Sequence, residues 1–330
     1  MIYLELLAGF CLLLGCGDFF VRGAVGVAQI FRVSPLVIGL TLVGFGTSLP
    51  ELVASLEAAR IGSPGIAVGN VVGSNIANVL LILGLAAIIA PIAVSDGAFR
   101  LNGPVLIGVS LLALLVFFLG SIGRWWGLVF VLLLLGYTVT AYRRGRHDHD
   151  GTAVAQLPSM VEAAPQRHAR LMLYGVLTAA GLLGIVLGAD LLIDAAVVLA
   201  RQLGVSETVI GLTVVAVGTS LPELATSVIA AVRRQPDVAL GNVVGSNIFN
   251  ILGILGVTAL VHPMAVPAAI LRFDGWVMLG AAALIIVFAT TKSVVERWEG
   301  AILLGGYSAY LFVLFQSVTG PEAVVASLGS

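Results

Sequence analysis

The sequence predicts an all-α integral membrane protein of ten transmembrane helices, arranged as two inverted five-helix repeats. Of the 330 residues, 59% are hydrophobic and only 10% are charged, whereas a soluble domain carries about 25% charged residues. Apolar segments of about 20 residues, the length that crosses a bilayer, recur along the chain. The second half of the sequence also repeats the first, as shown below.

Apolar segments divide equally between the two halves. We expect membrane spans at residues 3–22, 35–58, 67–90, 101–119, 124–142, 173–193, 207–232, 239–261, 273–290 and 299–317. The stretch 143–170 is polar, carries five arginines and has no apolar period, so it is expected to be a flexible loop. The predicted organisation is therefore a first repeat at 1–142, a polar loop at 143–170 and a second repeat at 171–330.

Two long motifs occur twice in the sequence. Residues 39–55, GLTLVGFGTSLPELVAS, match residues 211–227, GLTVVAVGTSLPELATS, at twelve of seventeen positions. Residues 69–84, GNVVGSNIANVLLILG, match residues 241–256, GNVVGSNIFNILGILG, at thirteen of sixteen. The offset is 172 residues in both cases, so the halves are copies of one another. Because each half has an odd number of spans, the second must cross the membrane in the opposite direction, as in many secondary transporters.

The distribution of basic residues predicts the orientation in an inner or plasma membrane. If the N-terminus lies outside, twelve lysines and arginines fall on the cytoplasmic side and four on the outer side. This excess agrees with the positive-inside rule for short loops. Both termini are then expected outside and the central loop 143–170 in the cytoplasm.

An acidic residue lies in the middle of the second segment and another in the middle of the seventh. A charged side chain at the centre of a bilayer costs roughly 2.5–3.5 kcal/mol on insertion scales, so Glu51 and Glu223 indicate a functional site. A Gly-Thr-Ser-Leu-Pro run precedes each of them. Pro50 and Pro222 interrupt the helical hydrogen bonding, and non-helical backbone at this depth has to line a polar cavity or be buried in protein.

The third and eighth segments add uncharged polar residues at corresponding depths. They are Asn70, Ser74, Asn75 and Asn78 in one half and Asn242, Ser246, Asn247 and Asn250 in the other. The pairs Gly69–Gly73 and Gly241–Gly245 predict close helix packing. Together with the acids, these segments offer carboxylates, hydroxyls, amide oxygens and freed carbonyls without Cys or His. Ligation by oxygen alone favours hard cations such as Ca²⁺ and Na⁺ and disfavours Zn²⁺.

In the runs GTSLPE and GNVVGSNI the sequence resembles the cation/calcium exchanger superfamily, in particular its prokaryotic sodium/calcium exchangers. The resemblance covers both alpha-repeats and implies exchange of Ca²⁺ for Na⁺, with no cofactor, nucleic acid or obligatory protein partner besides the lipid bilayer. With the hydroxyls of the GTSLPE runs included, the candidate ion ligands are Glu51, Glu223, Thr47, Thr219, Ser74, Ser246, Asn78, Asn250, Gly44, Ala216, Ser48 and Ser220. Some relatives carry Asp where this chain has Asn250, which leaves sodium stoichiometry and potassium dependence open.

Three other functions remain open at this level. A proton-coupled calcium antiporter would use the same two glutamates. The dependence of calcium flux on a sodium gradient distinguishes it from a sodium/calcium exchanger. An intramembrane enzyme would use Glu51 and Glu223 as an acid–base pair, but the sequence has neither a nucleophile–His pair nor a His-Glu-x-x-His motif. A channel would show unitary currents, whereas an acid-paired inverted repeat favours alternating access.

The predicted orientation of the central loop can be tested by cysteine labelling. In a variant lacking Cys11 and Cys16, Ser159→Cys should resist a membrane-impermeant maleimide in intact cells and react after permeabilisation. Ser121→Cys, in a turn expected outside, is the control that should react in intact cells. Efficient labelling of Ser159→Cys from outside would overturn the orientation.

Overall fold

A computed structural model of the chain describes residues 2–31, 33–94, 96–147, 164–202, 216–291 and 293–319. Seven helices in these ranges are long and apolar enough to cross a membrane. The number is eight if Leu36–Thr47 and Leu49–Arg60, which are bent by 43° at a break, form one span. Asn102–Phe117 and Leu221–Val232 are shorter apolar helices. The chain is thus a helical, multi-pass integral membrane protein.

The two halves contain corresponding series of elements. The first half has helices α1 (Ile2–Phe31), α2 (Pro35–Ile38), α3 (Gly44–Thr47), α4 (Leu49–Arg60), α5 (Pro64–Ala77), α6 (Gly84–Ile89), α7 (Asp96–Phe117) and α8 (Arg124–His147). The second half has α9 (Ala164–Gln202), α10 (Ala216–Thr219), α11 (Leu221–Val232), α12 (Pro236–Phe249), α13 (Leu255–Val261), α14 (Gly275–Thr291) and α15 (Arg297–Thr319). Within the described ranges, π-helical segments lie at Gly39–Val43, Asn78–Leu83, Asn250–Ile254 and Ile270–Asp274. The strands are β1 (Ile92–Ala93), β2 (Ser121–Ile122), β3 (Met264–Ala265) and β4 (Val294–Val295).

The polar connection between the halves is more helical than its composition suggested. The expected loop at 143–170 was wrong at both ends, because α8 continues to His147 and α9 begins at Ala164. Arginine and alanine are strong helix formers, so the two helices extend beyond their apolar parts. Residues 148–163 lie outside the described residues, as do residues 207–215 of the expected seventh span.

Each Gly-Thr-Ser-Leu-Pro run breaks its helix at the serine, as the proline predicted. Ser48 has φ −86° and ψ 7° between α3 and α4, and Ser220 has φ −92° and ψ 7° between α10 and α11. Proline is the second residue of the helix that follows, where its missing N–H would be unpaired in any case. Each glutamate therefore lies in the first turn of a helix that starts inside the protein.

Short strands join the two halves in a crossed pattern. Strand β1 pairs antiparallel with β4, and β2 pairs antiparallel with β3. The 172-residue offset relates Ile92 to Met264 and Ile122 to Val294, so β1 is equivalent to β3 and β2 to β4. The same pairing of strands therefore occurs twice with the roles of the halves exchanged, although the registers of the two pairs differ by one residue.

Glycines allow the centre of one half to contact the centre of the other. A methyl group on Gly245 would come within 2.4 Å of the Leu40 carbonyl oxygen, and one on Gly241 within 2.7 Å of the Leu36 oxygen. The close packing expected for Gly241–Gly245 is therefore confirmed, against the π-helical segment that precedes α3. Gly69 and Gly73 have no comparable neighbour among the described residues.

Helices α1 and α9 form a closely packed pair beside this centre. A methyl group on Gly181 would come within 2.5 Å of the Phe20 nitrogen, so the two backbones touch. Asp18 of α1 forms ion pairs with Arg22, at 2.9 Å, and with Arg233, at 2.5 Å. Since Arg233 directly follows α11, this acid links α1 to the end of a glutamate-bearing helix.

The glycine contact predicts a strong effect of Gly245→Val on stability. Valine there has to displace the Leu40 backbone, and overpacking costs typically about 1–3 kcal/mol. We expect a melting midpoint several degrees lower in detergent. Gly136→Val, at an exposed position of α8 with open space around it, carries the same change in helix propensity and should show a much smaller loss. Equal midpoints for the two variants would contradict the contact.

Candidate functional site

Two carboxyl groups, one from each half, are buried side by side. Glu51 is 1% exposed and Glu223 is 0% exposed. The Glu51 carboxyl lies beside both the Glu223 carboxyl and the Ser220 hydroxyl. No ion pair within the described part of the chain involves either glutamate. Two adjacent acids without a basic partner can both be ionised only if a cation lies between them.

Hydrogen bonds leave most of the carboxyl oxygens free. The Ser48 hydroxyl donates to Oε1 of Glu223 over 2.8 Å and so crosses from one half to the other. Oε2 of Glu223 and both oxygens of Glu51 accept no well-formed hydrogen bond from the described residues. Burying a polar atom without a partner costs about 1–3 kcal/mol, and more for a charged one. These oxygens therefore form an incomplete site that a ligand with positive charge would complete.

Hydroxyl and carbonyl groups surround the acids. The Thr47 hydroxyl can donate to the Val43 carbonyl, at 3.0 Å, or to Oδ1 of Asn242, at 3.1 Å. The Ser246 hydroxyl donates to the Gly44 carbonyl over 3.1 Å. A hydroxyl that donates its hydrogen elsewhere keeps its oxygen lone pairs for a cation. The contact of α3 with α12 thus adds oxygen atoms from both halves to the region around the acids.

Amide side chains extend the oxygen-rich region along α5 and α12. Nδ2 of Asn78 donates to Oδ1 of Asn247 over 3.0 Å, and Nδ2 of Asn247 donates to the Asn75 carbonyl over 3.3 Å. Oδ1 of Asn78 and both side-chain polar atoms of Asn250 are buried without a partner among the described residues. Asn78 and Asn250 therefore offer unused amide oxygens.

The same two asparagines begin π-helical segments. Asn78 starts the segment that follows α5, and Asn250 starts the equivalent segment that follows α12. π-Helical turns are rare and occur often at functional sites because they redirect side chains and backbone groups. Sequence reasoning did not find these segments, since their residues carry no distinctive pattern.

Most of the predicted site residues are buried. Those that are buried are Glu51, Glu223, Thr47, Ser48, Ser220, Ser74, Ser246, Asn78, Asn250 and Gly44. Thr219 is partly exposed, and Ala216 begins α10, directly after residues that lie outside the described ranges. Sequence reasoning noted Asn70, Asn242 and Asn247 as polar but did not place them in the site. Their recurrence at the 172-residue offset was the signal that could have done so.

A site of oxygen atoms only, built around paired acids between two halves of a helical membrane protein, defines a protein that handles hard cations. Sequence comparison gives the family. The protein-family model described as "Sodium/calcium exchanger protein" matches residues 1–143 and again residues 173–316. The chain belongs to the sodium/calcium exchanger family, whose members are transporters and not enzymes.

Individual relatives are similar in sequence to this chain over almost their whole length. The chain is 37% identical to the putative antiporter CaxA of Alkalimonas amylolytica over 316 residues, covering 94% of this chain and 98% of CaxA. It is 35% identical to the sodium/calcium exchanger MaX1 of Methanosarcina acetivorans, covering 95% and 98%. Among solved structures, the sodium–calcium exchanger NCX_Mj soaked with Na⁺ and Ca²⁺ superposes with a TM-score of 0.80 at 34% identity, covering 94% and 97%.

The free amide of Asn250 predicts a tuning role. An amide oxygen can ligate a cation without adding charge, so Asn250→Asp should retain calcium flux but change its dependence on pH and on monovalent ions. Flux into proteoliposomes at several pH values and Na⁺ concentrations measures this. The control is Asn102→Asp. Asn102 is a buried amide of α7 that pairs with Tyr137 of α8, and the change should leave those dependences unchanged. Complete loss of transport in a folded Asn250→Asp protein would count against a tuning role.

Proposed function

We propose that this chain is a secondary active antiporter that exchanges Ca²⁺ for Na⁺ by alternating access at one midplane site formed by both halves. The observation that carries the proposal is the buried pair of Glu51 and Glu223, which lacks a basic partner in the described residues. A pair of carboxylates matches the charge of one Ca²⁺ or of two Na⁺. Competition for the same charge is the simplest physical basis for exchange.

The chemistry of the surrounding groups favours calcium over the other common divalent ions. Ca²⁺ takes 6–8 oxygen ligands in flexible geometry, whereas Mg²⁺ demands a near-ideal octahedron and dehydrates reluctantly. The names of MaX1 and NCX_Mj as sodium/calcium exchangers support the same pair of ions. Protons would also neutralise the acids, so a proton-coupled calcium antiporter is the alternative function.

The proposed ligands come from equivalent positions of the two halves. Glu51 and Glu223 supply the charge, and neutral oxygens complete the site. These neutral ligands are the hydroxyls of Thr47, Ser48, Thr219, Ser220, Ser74 and Ser246, the amide oxygens of Asn78 and Asn250, and the carbonyls of Gly44 and Ala216. The cross-repeat contacts from Ser48 to Glu223 and from Ser246 to Gly44 support a shared site.

We further propose ten spans in two inverted repeats, with the termini outside and the central connection in the cytoplasm of the inner or plasma membrane. The eight spans and the two shorter apolar helices together make ten, and the family model matches each half separately. The strand pairs add support. In a ten-span chain β1 and β4 lie on one side of the membrane and β2 and β3 on the other, whereas one span more or fewer between partners would separate them.

Alternating access follows from the charge of the site. An empty site that changed sides would carry two uncompensated carboxylates through a low-dielectric interior, where their repulsion is strong. A loaded site is close to neutral. Switching is therefore favoured with ions bound, which couples the two fluxes. The pair α1–α9, whose backbones touch each other, is the element expected to slide against the site helices.

The shared-site proposal predicts that Glu51→Gln and Glu223→Gln each abolish calcium exchange. Glutamine keeps the size and one oxygen but removes a charge from a site that needs both. Removing one of two adjacent buried charges also relieves repulsion, so the melting midpoint should stay equal or rise. Flux of ⁴⁵Ca²⁺ into proteoliposomes under imposed Na⁺, K⁺ or H⁺ gradients and melting in detergent are measured together.

The matched control is Glu57→Gln, the same change on the same helix at an exposed residue that pairs with Arg60. It should leave flux and midpoint unchanged. Near-wild-type flux from either Glu51→Gln or Glu223→Gln would reject the shared site. If calcium flux depends on an H⁺ gradient and not on Na⁺, the protein is a proton-coupled antiporter and the proposed sodium coupling is rejected.

A further inference from the structure

A second buried amide network lies directly behind the acids. Nδ2 of Asn242 donates to the main-chain carbonyl of Glu223 over 3.1 Å and to the Ser227 hydroxyl over 2.8 Å. Its Oδ1 accepts from the Thr47 hydroxyl at 3.1 Å. Asn242 is fully buried, and its polar atoms are all used. This side chain therefore touches a carboxylate-bearing helix of its own half and a hydroxyl of the other half.

The equivalent residue of the first half makes the equivalent contacts. Nδ2 of Asn70 donates to the Glu51 carbonyl over 3.2 Å and to the Ser55 hydroxyl over 2.9 Å. All three positions are related to Asn242, Glu223 and Ser227 by the 172-residue offset. Two copies of one arrangement, each behind a site acid, are hard to explain as general packing between polar helices.

The orientation of each amide follows from its partners. A main-chain carbonyl can only accept a hydrogen bond, so the NH₂ group of Asn242 has to face Glu223. Oδ1 is then left to face Thr47 and can only accept from it. Oδ1 of Asn242 therefore competes with the Val43 carbonyl and with the nearby Glu223 carboxyl for the Thr47 hydrogen, and so influences where this hydroxyl points.

The place of these bonds matters because each helix begins at a break. Glu223 is the third residue of α11, which starts after Ser220 without a side-chain hydrogen bond from that residue to its first turn. A hydrogen bond from Asn242 to the Glu223 carbonyl fixes the rotation of this turn against α12. The direction of the carboxyl group depends on that rotation.

We propose that Asn242 and Asn70 are positioning residues that set the ion affinity of the site without binding the ion. Asn242 orients the Glu223 turn and the Thr47 hydroxyl, and Asn70 orients the Glu51 turn. The inference rests on the proposed calcium/sodium exchange, since it needs those groups to be ligands. Partners that orient the ligands of a metal typically change its affinity by about 10–100-fold when they are removed.

The test is Asn242→Ala, measured by ⁴⁵Ca²⁺ exchange in proteoliposomes over a range of Ca²⁺ and Na⁺ concentrations. We expect the apparent KM for Ca²⁺ to rise by roughly 10–100-fold, with a smaller change in maximal rate. Asn70→Ala should act in the same direction. The double variant Asn242→Ala/Thr47→Val should show less than the product of the two single effects, because Asn242 acts partly through Thr47.

The matched control is Asn102→Ala, which removes another buried asparagine and its hydrogen bond with Tyr137. It should lower the melting midpoint but leave KM unchanged. A KM for Asn242→Ala within about twofold of wild type, with a midpoint loss like that of the control, would show a merely structural role and overturn the proposal. If Asn242→Ala does not accumulate, Asn70→Ala makes the same test at the other acid.

The two proposals fail in different ways. Absence of calcium exchange by the wild-type protein, or its persistence in Glu51→Gln, rejects the shared ion site and the positioning role with it. Calcium exchange that is lost in Glu51→Gln but has an unchanged KM in both asparagine variants rejects the positioning role alone.

Discussion

The burial of two neighbouring carboxyl groups is the constraint on which the rest of this structure depends. Charges in a low-dielectric interior interact strongly, and two like charges cannot both persist there without compensation. A basic side chain would solve the problem permanently, but none pairs with Glu51 or Glu223 in the described residues. The protein instead surrounds them with neutral oxygens. The two carboxylates are therefore stable together only when mobile positive charge compensates them.

The fold brings these groups together by making backbone contact between the halves. Gly241 and Gly245 allow α12 to lie directly against the segment before α3. This contact brings the Gly44 carbonyl and Thr47, both in α3, to the second half. The breaks at Ser48 and Ser220 then start new helices whose first turns present the acids. Close packing and helix interruption thus act together, since neither alone would place oxygens of both halves in one volume.

Much of this arrangement could be predicted from sequence because its motifs occur in both halves of the chain. The repeated GTSLPE runs indicated both acids, the helix breaks and the family, and the Gly241–Gly245 pair indicated the close contact. The π-helical turns at Asn78 and Asn250 could not be predicted, since an extra residue in a turn depends on packing and not on local preference. The helical extension to His147 was also missed, because apolar length marks the membrane part of a helix and not its end.

The crossed strand pairs have a consequence for how such a protein can arise. The pairing of β1 with β4 recurs between β3 and β2, one residue out of register, so the two halves contribute equivalent strands to each other. A contact of this kind is isologous, as in a two-fold symmetric dimer. On the proposed inverted arrangement, two separate copies of a half-length chain, inserted in opposite directions, would form both strand pairs and one shared pair of acids. The covalent connection between the halves is then free to vary, while the halves are free to diverge, as Asn102 and Asp274 already have at equivalent positions.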